Sequence, residues 1–164
     1  MTLLNAPAYN ERRERLTRNL LAASGILFAT LLVLTLAGFI TGHGWLFTNL
    51  LTEHRVNRFL SDIEQGNFSE AYGVYVNDAH WTERPGKYSG YPLQRFTEDW
   101  TKYSPVGAIR SHHVDKSVSD GSGPFGTTLI VASTINGQKD KRLFIAVQRS
   151  DGSFSYPSPH VFEY

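Results

Sequence analysis

The densest group of ionisable side chains in the chain is His112, His113 and Asp115. If this segment is a β-strand, His113 and Asp115 point to one face and His112 points to the other, because side chains alternate along a strand. An imidazole beside a carboxylate is the arrangement of a general base with its orienting acid. The alternative is a solvent-facing polar pair next to Arg110 and Lys116. We favour this alternative, since ion pairs without a catalytic role are common on protein surfaces.

The same segment does not predict a metal site. Its HHxD pattern has too few histidines in register to hold zinc. The spacing of His80 and His160 in the sequence does not predict that they lie close to this segment. The chain has no cysteine, which excludes disulfides, thiolate catalysis and zinc–thiolate sites. The glycine-rich run 121–126 lies between two predicted strands, whereas a phosphate-binding loop leads from a strand into a helix. We therefore expect no metal and no cofactor.

Aromatic side chains are concentrated in one predicted loop and the helix that follows it, namely Trp81, Tyr88, Tyr91, Phe96, Trp100 and Tyr103. They could line a pocket for a small apolar ligand, because such pockets are mostly apolar with a few polar groups. The alternative is that they form the core, which in a small domain needs large side chains. We favour the core. The candidate lining of a ligand cavity is His113, Asp115, Trp81, Tyr91 and Trp100.

All of these residues follow a stretch, Leu20 to Ile40, that carries no charged side chain. As a helix it would be roughly 30 Å long, which is the thickness of the hydrocarbon core of a bilayer. Arginines at positions 12, 13, 15 and 18 precede it, and only Arg55 and Arg58 follow within about 20 residues. The positive-inside rule therefore predicts a single pass through the cytoplasmic membrane, with the N-terminus in the cytoplasm and the C-terminal domain outside. The lipid bilayer is the first expected partner.

A cleaved secretory signal peptide has the same layout and is the alternative to an anchor. The apolar run is longer than the usual hydrophobic region of about 7–15 residues, and a small-x-small cleavage site near Ala37 is poorly formed. We therefore predict an uncleaved anchor, with a basic tail at 1–19, a transmembrane helix at 20–41, an interfacial linker at 42–48 and a domain at 49–164. Trp45 and Phe47 are expected at the membrane surface, and His43 is expected there without a partner.

The domain begins with three predicted helices. From Asn49 onward Val56, Phe59, Leu60 and Ile63 form one apolar stripe, and Gly66 is expected at positive φ just beyond the end of this helix. Ser69 is predicted to cap a second short helix, and residues 77–91 read as a long loop. A third helix is predicted from Pro92, with Leu93, Phe96, Trp100 and Tyr103 on its apolar face and an end at Ser104–Pro105.

Four strands are predicted after the helices, at 108–118, 127–135 and 142–148 and through Phe154 and Tyr156. Asn136–Gly137 and Asp151–Gly152 are hairpin signals, because asparagine or aspartate followed by glycine suits the tight turns between antiparallel strands. Pro157 and Pro159 indicate a sheet edge or a bulge in the last strand, which residues 160–164 could resume. Helices followed by antiparallel strands predict the α+β class.

The helix–Gly66–Asn67–Phe68–helix opening, with Ala71–Tyr72 after it, resembles the start of nuclear-transport-factor-2-like (cystatin-like cone) domains. The third predicted helix and the hairpins are similar to those of the same family, so the resemblance covers roughly 50–164. It implies three helices wrapped by a curved antiparallel sheet around a conical cavity. It does not imply a reaction, because function belongs to sites and not to folds. Many membrane-tethered bacterial members of this family have no known catalytic role.

Three functions remain open from the sequence. The first is a membrane-anchored binding or protein-interaction module outside the cytoplasm, without catalytic activity, whose partner is another membrane protein or a small apolar ligand. The second is an accessory subunit of a larger membrane complex. The third is a hydrolase, isomerase or dehydratase that uses His113 and Asp115 in the cone. Nucleic acid is not an expected partner, because the chain after the tail carries twelve basic against thirteen acidic residues.

Overall fold

Helix α1, Glu11–Thr41, is the first element of the structure, a computed structural model that describes residues 10–44, 46–121 and 126–155. The helix begins where Asn10 Oδ1 accepts a hydrogen bond from Arg13 N at 3.1 Å, as an N-cap does. Its large apolar side chains are 40–84% exposed. Within the described residues it is the one helix that is long and apolar enough to cross a membrane.

The chain divides into two compact units, 1–37 and 38–164. In its described part the second unit contains three further helices and a four-stranded antiparallel sheet, so the predicted α+β class is confirmed. The helices are α2, Leu46–Glu64, α3, Phe68–Tyr75, and α4, Leu93–Thr101. Trp45 lies outside the described residues, and so does the side chain of Phe47, so their predicted interfacial position stays a prediction.

Helix α2 ends as the sequence predicts. Its apolar stripe, Val56, Phe59, Leu60 and Ile63, is at most 6% exposed. Gly66 has φ +77°, and Asn67 N donates to Asp62 O at 2.8 Å while Gly66 N donates to Ile63 O at 3.0 Å. These two hydrogen bonds form a Schellman motif, in which a glycine in the left-handed conformation ends the helix and the last carbonyls are bonded.

The N-cap of α3 is Asn67, so the prediction of Ser69 as the cap is wrong. The reversal at Gly66 brings Asn67 directly to the start of the helix, where its carbonyl accepts a hydrogen bond from Ala71 N at 3.0 Å. Ser69 therefore lies inside the first turn. Phe68 is half-buried and packs against the core.

The predicted loop at 77–91 contains two short 3₁₀ turns, Trp81–Glu83 and Pro85–Tyr88. Pro92 is the N-cap of α4, which buries Phe96 and Trp100. Tyr103 was predicted on the same apolar face, and this is wrong because α4 ends at Thr101 and leaves Tyr103 55% exposed.

The sheet has the order β1-β2-β3-β4, with β1 at His112–Ser119, β2 at Thr128–Ile135, β3 at Gln138–Gln148 and β4 at Phe154–Ser155. Asn136 and Gly137 both have positive φ in the β2–β3 hairpin, as the asparagine–glycine signal predicts. Strand β1 begins later than predicted, because the Asn136 side chain bonds Ala108 O and the backbone nitrogens of Arg110 and Ser111. The predicted continuation from Tyr156 to 164 lies outside the described residues.

The core lies between α2, α3 and α4 and one face of the sheet. Leu129, Val131, Leu143, Ile145 and Val147 point into it from β2 and β3. The ring of Phe59 in α2 occupies its centre, with centroid distances of 4.9 Å to Trp100, 5.3 Å to Phe154 and 6.1 Å to Phe96. Edge-to-face aromatic packing of this kind fills the space between the helices and the sheet.

Candidate functional site

His113 and Asp115 lie on the outer side of the sheet, away from the core. His113 is exposed and pairs across the strands with Thr134. The register shifts between Val114 and Lys116, so Asp115 is the extra residue of a β-bulge. Its carboxylate accepts a hydrogen bond from Thr134 Oγ1 at 2.8 Å and lies 3.7 Å from Arg142 Nε. In the described part of the chain Asp115 is thus engaged by Thr134 and Arg142, and no hydrogen bond joins it to His113.

His112 points to the opposite side from His113, as the alternation of a strand predicts. Its Nδ1 lies 2.8 Å from Glu64 Oε2, at the end of α2, and its side chain is only 9% exposed. Because an ionised carboxylate only accepts hydrogen bonds, the imidazole donates through Nδ1. This contact fastens the start of β1 to the end of α2.

The three aromatic candidates surround the core and do not meet His113 or Asp115. Trp100 is 3% exposed between Phe59 and Phe96. Trp81 stacks edge-on against Tyr72, with ring centroids 4.8 Å apart, and Tyr91 donates from its hydroxyl to Asp99 Oδ2 at 2.9 Å. Burial, followed by this hydrogen bond, raises the pKa of Tyr91 well above its usual range. The structure therefore places these rings in and around the packed interior.

A buried polar cluster that the sequence did not reveal lies where the chain enters the domain. We call its members His43, Glu53 and Ser117 the linker cluster. Glu53 is 6% exposed, and its carboxylate lies 2.9 and 3.0 Å from His43 Nδ1. Ser117 Oγ donates to Glu53 Oε1 at 2.6 Å, and Ser117 N donates to Gly42 O at 3.2 Å. His43 therefore has a partner, contrary to the sequence prediction. His43 joins the linker to α2, and Gly42 joins it to β1.

Two glycines shape the linker around this cluster. Gly42 and Gly44 have φ values of +85° and +54°, which side chains rarely allow. A β-carbon at Gly44 would lie 2.7 Å from Nδ2 of Asn49, which is itself 3% exposed. The backbone at residue 44 thus approaches the Asn49 amide closely because glycine leaves the space open.

The geometry of the linker cluster is not that of a catalytic triad. In a triad the serine hydroxyl donates to the imidazole, and the carboxylate orients the imidazole from its other side. Here Ser117 and His43 both bond the same carboxylate, so the Ser117 hydroxyl donates to Glu53 and not to the imidazole. The arrangement satisfies a buried carboxylate and connects three segments of the chain.

A signal for this cluster was present in the helical period of α2. Asn49 and Glu53 continue the apolar stripe of Val56 and Leu60 toward the start of the helix at spacings of three and four residues. Polar residues on the buried stripe of a helix indicate a buried polar contact. Ser117, the partner of Glu53, is 64 residues away from it, and nothing local in the sequence identifies it.

A second polar cluster stabilises the loop between α3 and α4. The Asp78 carboxylate accepts hydrogen bonds from Tyr88 Oη at 2.6 Å, Arg84 Nη2 at 2.9 Å and His80 N at 3.0 Å. The hydrogen bond from Tyr88 is the largest cause that lowers the pKa of Asp78 below its usual value. Lys87 lies farther away, at 3.8 Å. These contacts hold both 3₁₀ turns against the start of the loop.

The described surface also has a cleft that is open to solvent, lined by Val106, Ala108, Arg110, Ser111, Asn136 and Gln138. In the part of the chain that the structure describes, no three histidine, aspartate or glutamate side chains converge to hold a metal ion. Comparison of the chain with protein-family models, with curated proteins and with solved structures gives no match.

Proposed function

We propose that this chain is a single-span membrane protein whose α+β domain acts outside the cytoplasmic membrane as a binding or protein-interaction module, without catalytic activity. The observation that carries this proposal is the aromatic packing in the described interior of the domain. Phe59, Tyr72, Phe96 and Trp100 are each at most 3% exposed and contact one another edge-on or tilted. Because the described interior is occupied by its own rings, we infer that the domain acts through its exterior.

The hydroxyl groups of α1 support the membrane part of the proposal. Ser24, Thr30 and Thr35 each donate to a carbonyl three or four residues earlier, at 2.8–2.9 Å. A hydroxyl that is bonded to its own helix needs no partner from the hydrocarbon around it. The four arginines before the apolar stretch favour a cytoplasmic tail and an exported domain.

We further propose that the domain is a nuclear-transport-factor-2-like cone with three helices inside a curved sheet. The turn at Gly66, Asn67 and Phe68 between α2 and α3 supports this, together with α4 and the antiparallel sheet that follow. The bulge at Asp115 is a further support, because bulges bend strands. An experimental structure of the domain that did not superpose on this family would contradict the assignment.

Site-specific photo-crosslinking in intact membranes tests the proposed function. A photoreactive residue is placed at His113 on the outer sheet face, at Tyr103 after α4, or at Ala29 within the apolar helix. An interaction module in the exported domain predicts a discrete, saturable adduct from one of the two domain positions. Adducts from Ala29 alone would instead indicate an accessory subunit that binds its partner inside the membrane. Substrate turnover by the purified protein that is lost in His113→Ala would contradict the non-catalytic proposal.

A further inference from the structure

The large hydrophobic side chains that remain exposed in the described part of the domain are few. After the linker they are Leu50, Leu51, Tyr103 and Val118. Leu50 and Leu51 are neighbours near the start of α2, with exposed fractions of 48% and 66%. We call these two side chains the α2 leucine pair. Exposed leucines next to each other mark a contact with an apolar partner more often than single exposed ones do.

Beyond Leu51 the exposed side of α2 is polar. His54, Asn57 and Arg58 are exposed farther along the helix, while its apolar residues face the core. The apolar exposure of this helix is therefore confined to its beginning. A helix that docked lengthwise on a protein partner would carry apolar residues along its whole exposed face, so the contact concerns only the first turns.

The linker cluster holds this part of α2 close to the end of α1. Only the segment 42–45 separates Thr41 from Leu46. Gly42 O bonds Ser117 N, and His43 bonds Glu53, which lies one turn beyond Leu50. The linker is thus fastened to the domain at two points. The leucine pair cannot move far from Gly42 while these bonds persist.

This proximity determines which apolar partner the pair meets. If the apolar helix spans a bilayer, Gly42 lies at its surface, next to a polar headgroup layer roughly 5–8 Å thick. From Leu50 to Glu53 the helix rises only about 4.5 Å, and Glu53 bonds His43, which is next to Gly42. The leucine pair therefore stays within reach of that layer. Two leucines are also a small patch beside the roughly 800 Å² that each partner buries in a standard protein interface.

We propose that the α2 leucine pair inserts into the interface of the lipid bilayer, between the headgroups and the upper acyl chains, and so holds the domain against the membrane. This inference rests on the proposed membrane span. It adds a second, peripheral lipid contact made by the domain itself. Moving a leucine side chain from water into the interfacial region lowers the free energy, and this is the basis of membrane binding by interfacial helices.

The absence of cysteine from the chain allows a direct test with single-cysteine variants of the full-length protein. Leu51→Cys, Tyr103→Cys and Leu32→Cys are labelled with a polarity-sensitive fluorophore and reconstituted into phosphatidylcholine–phosphatidylglycerol vesicles. The vesicles contain lipids that carry a nitroxide quencher near the carbonyl end of the acyl chain. Tyr103 is the matched control, since its exposed fraction of 55% is similar to that of Leu51. Leu32 reports on the span.

We expect the Leu51 label to be quenched at least about twofold more strongly than the Tyr103 label, because only an inserted side chain meets the acyl chains. Equal quenching at both positions, with the Leu32 label protected from water and quenched by lipid, would overturn the inference and leave the anchor intact. A Leu51 label that is shielded from water but not quenched would also overturn it, since protein would then cover the pair. A Leu32 label exposed to water would overturn the anchor and this inference together.

Discussion

Glu53 is the residue on which the linker cluster depends, because it is a buried carboxylate with two side-chain donors. A buried polar group is tolerated when hydrogen bonds satisfy it. Removing one partner costs more free energy than the hydrogen bond contributes on balance, because the remaining group stays buried without a partner. Ser117 supplies the shorter bond, at 2.6 Å. The contribution of the cluster to stability can therefore be measured by deleting a single hydroxyl.

We expect Ser117→Ala to lower the free energy of unfolding by about 1–3 kcal/mol, because it removes the shorter of the hydrogen bonds to the buried Glu53 carboxylate. Ser69→Ala is the control, since Ser69 is exposed on α3 and its substitution should fall within about 0.5 kcal/mol of the wild type. Urea denaturation of the full-length protein in detergent micelles gives both values. Equal losses in the two variants would show that the Glu53 contact contributes nothing.

The Asp78 cluster makes a prediction about pH. The lowered pKa of Asp78 means that its carboxylate stabilises the fold above the ordinary value of 3.8, and that this contribution is lost as the pH falls through the still lower folded-state pKa. Tyr88→Phe removes the largest cause of that shift. We expect the variant to be less stable than the wild type at pH 7 and the difference to shrink below pH 3.8. Thermal melts across pH 2–7 measure it, and a difference that is constant over this range would contradict the role of Tyr88.

Among the secondary-structure elements, the turn between α2 and α3 offers the sharpest test of the fold. Gly66 has φ +77° and nothing within 4 Å of where a β-carbon would lie, so conformation alone requires glycine there. Gly121, in the glycine-rich run between two predicted strands, would be a natural comparison from the sequence. The structure makes it unsuitable, because Gly121 has φ +76°.

Gly66→Ala should therefore cost about 1–2 kcal/mol, the penalty for placing a β-carbon in the left-handed region. Gly90→Ala is a better control, since Gly90 has equally open surroundings and is not at positive φ. We expect a lower melting temperature for Gly66→Ala alone, measured by circular dichroism. If the two variants have the same melting temperature, a β-carbon at residue 66 causes no strain and the turn geometry described for Gly66 is wrong.

The elements were predictable where their signals are local. The apolar stripe of α2 and the Asn136–Gly137 hairpin depend on neighbours within a few residues, and both occur as predicted. The start of α3 was mispredicted because Asn67 and Ser69 are both good caps, and the reversal at Gly66 decides between them. The start of β1 was mispredicted because the side chain of Asn136, far along the chain, forms hydrogen bonds with backbone groups in the segment 108–111.

For the whole molecule, composition and length predict one apolar helix followed by one α+β domain, and the structure has both. The candidate site was much less predictable. His113 and Asp115 are close in sequence, but Asp115 lies in a bulge and accepts a hydrogen bond from Thr134 instead of one from His113. The linker cluster joins residues from three segments, and only packing brings Glu53 and Ser117 together. Sites assembled by long-range packing leave little trace in a single sequence.

The central claim is that an uncleaved span holds the domain outside the cytoplasmic membrane. Its most direct test is labelling of two single-cysteine variants, Gln65→Cys in the domain and Thr17→Cys in the tail, with a maleimide that does not cross membranes. In intact spheroplasts we predict labelling of Gln65→Cys, and labelling of Thr17→Cys only after the membrane is disrupted. Labelling of Thr17→Cys without disruption, or recovery of the Gln65→Cys domain in the soluble fraction, would contradict the account.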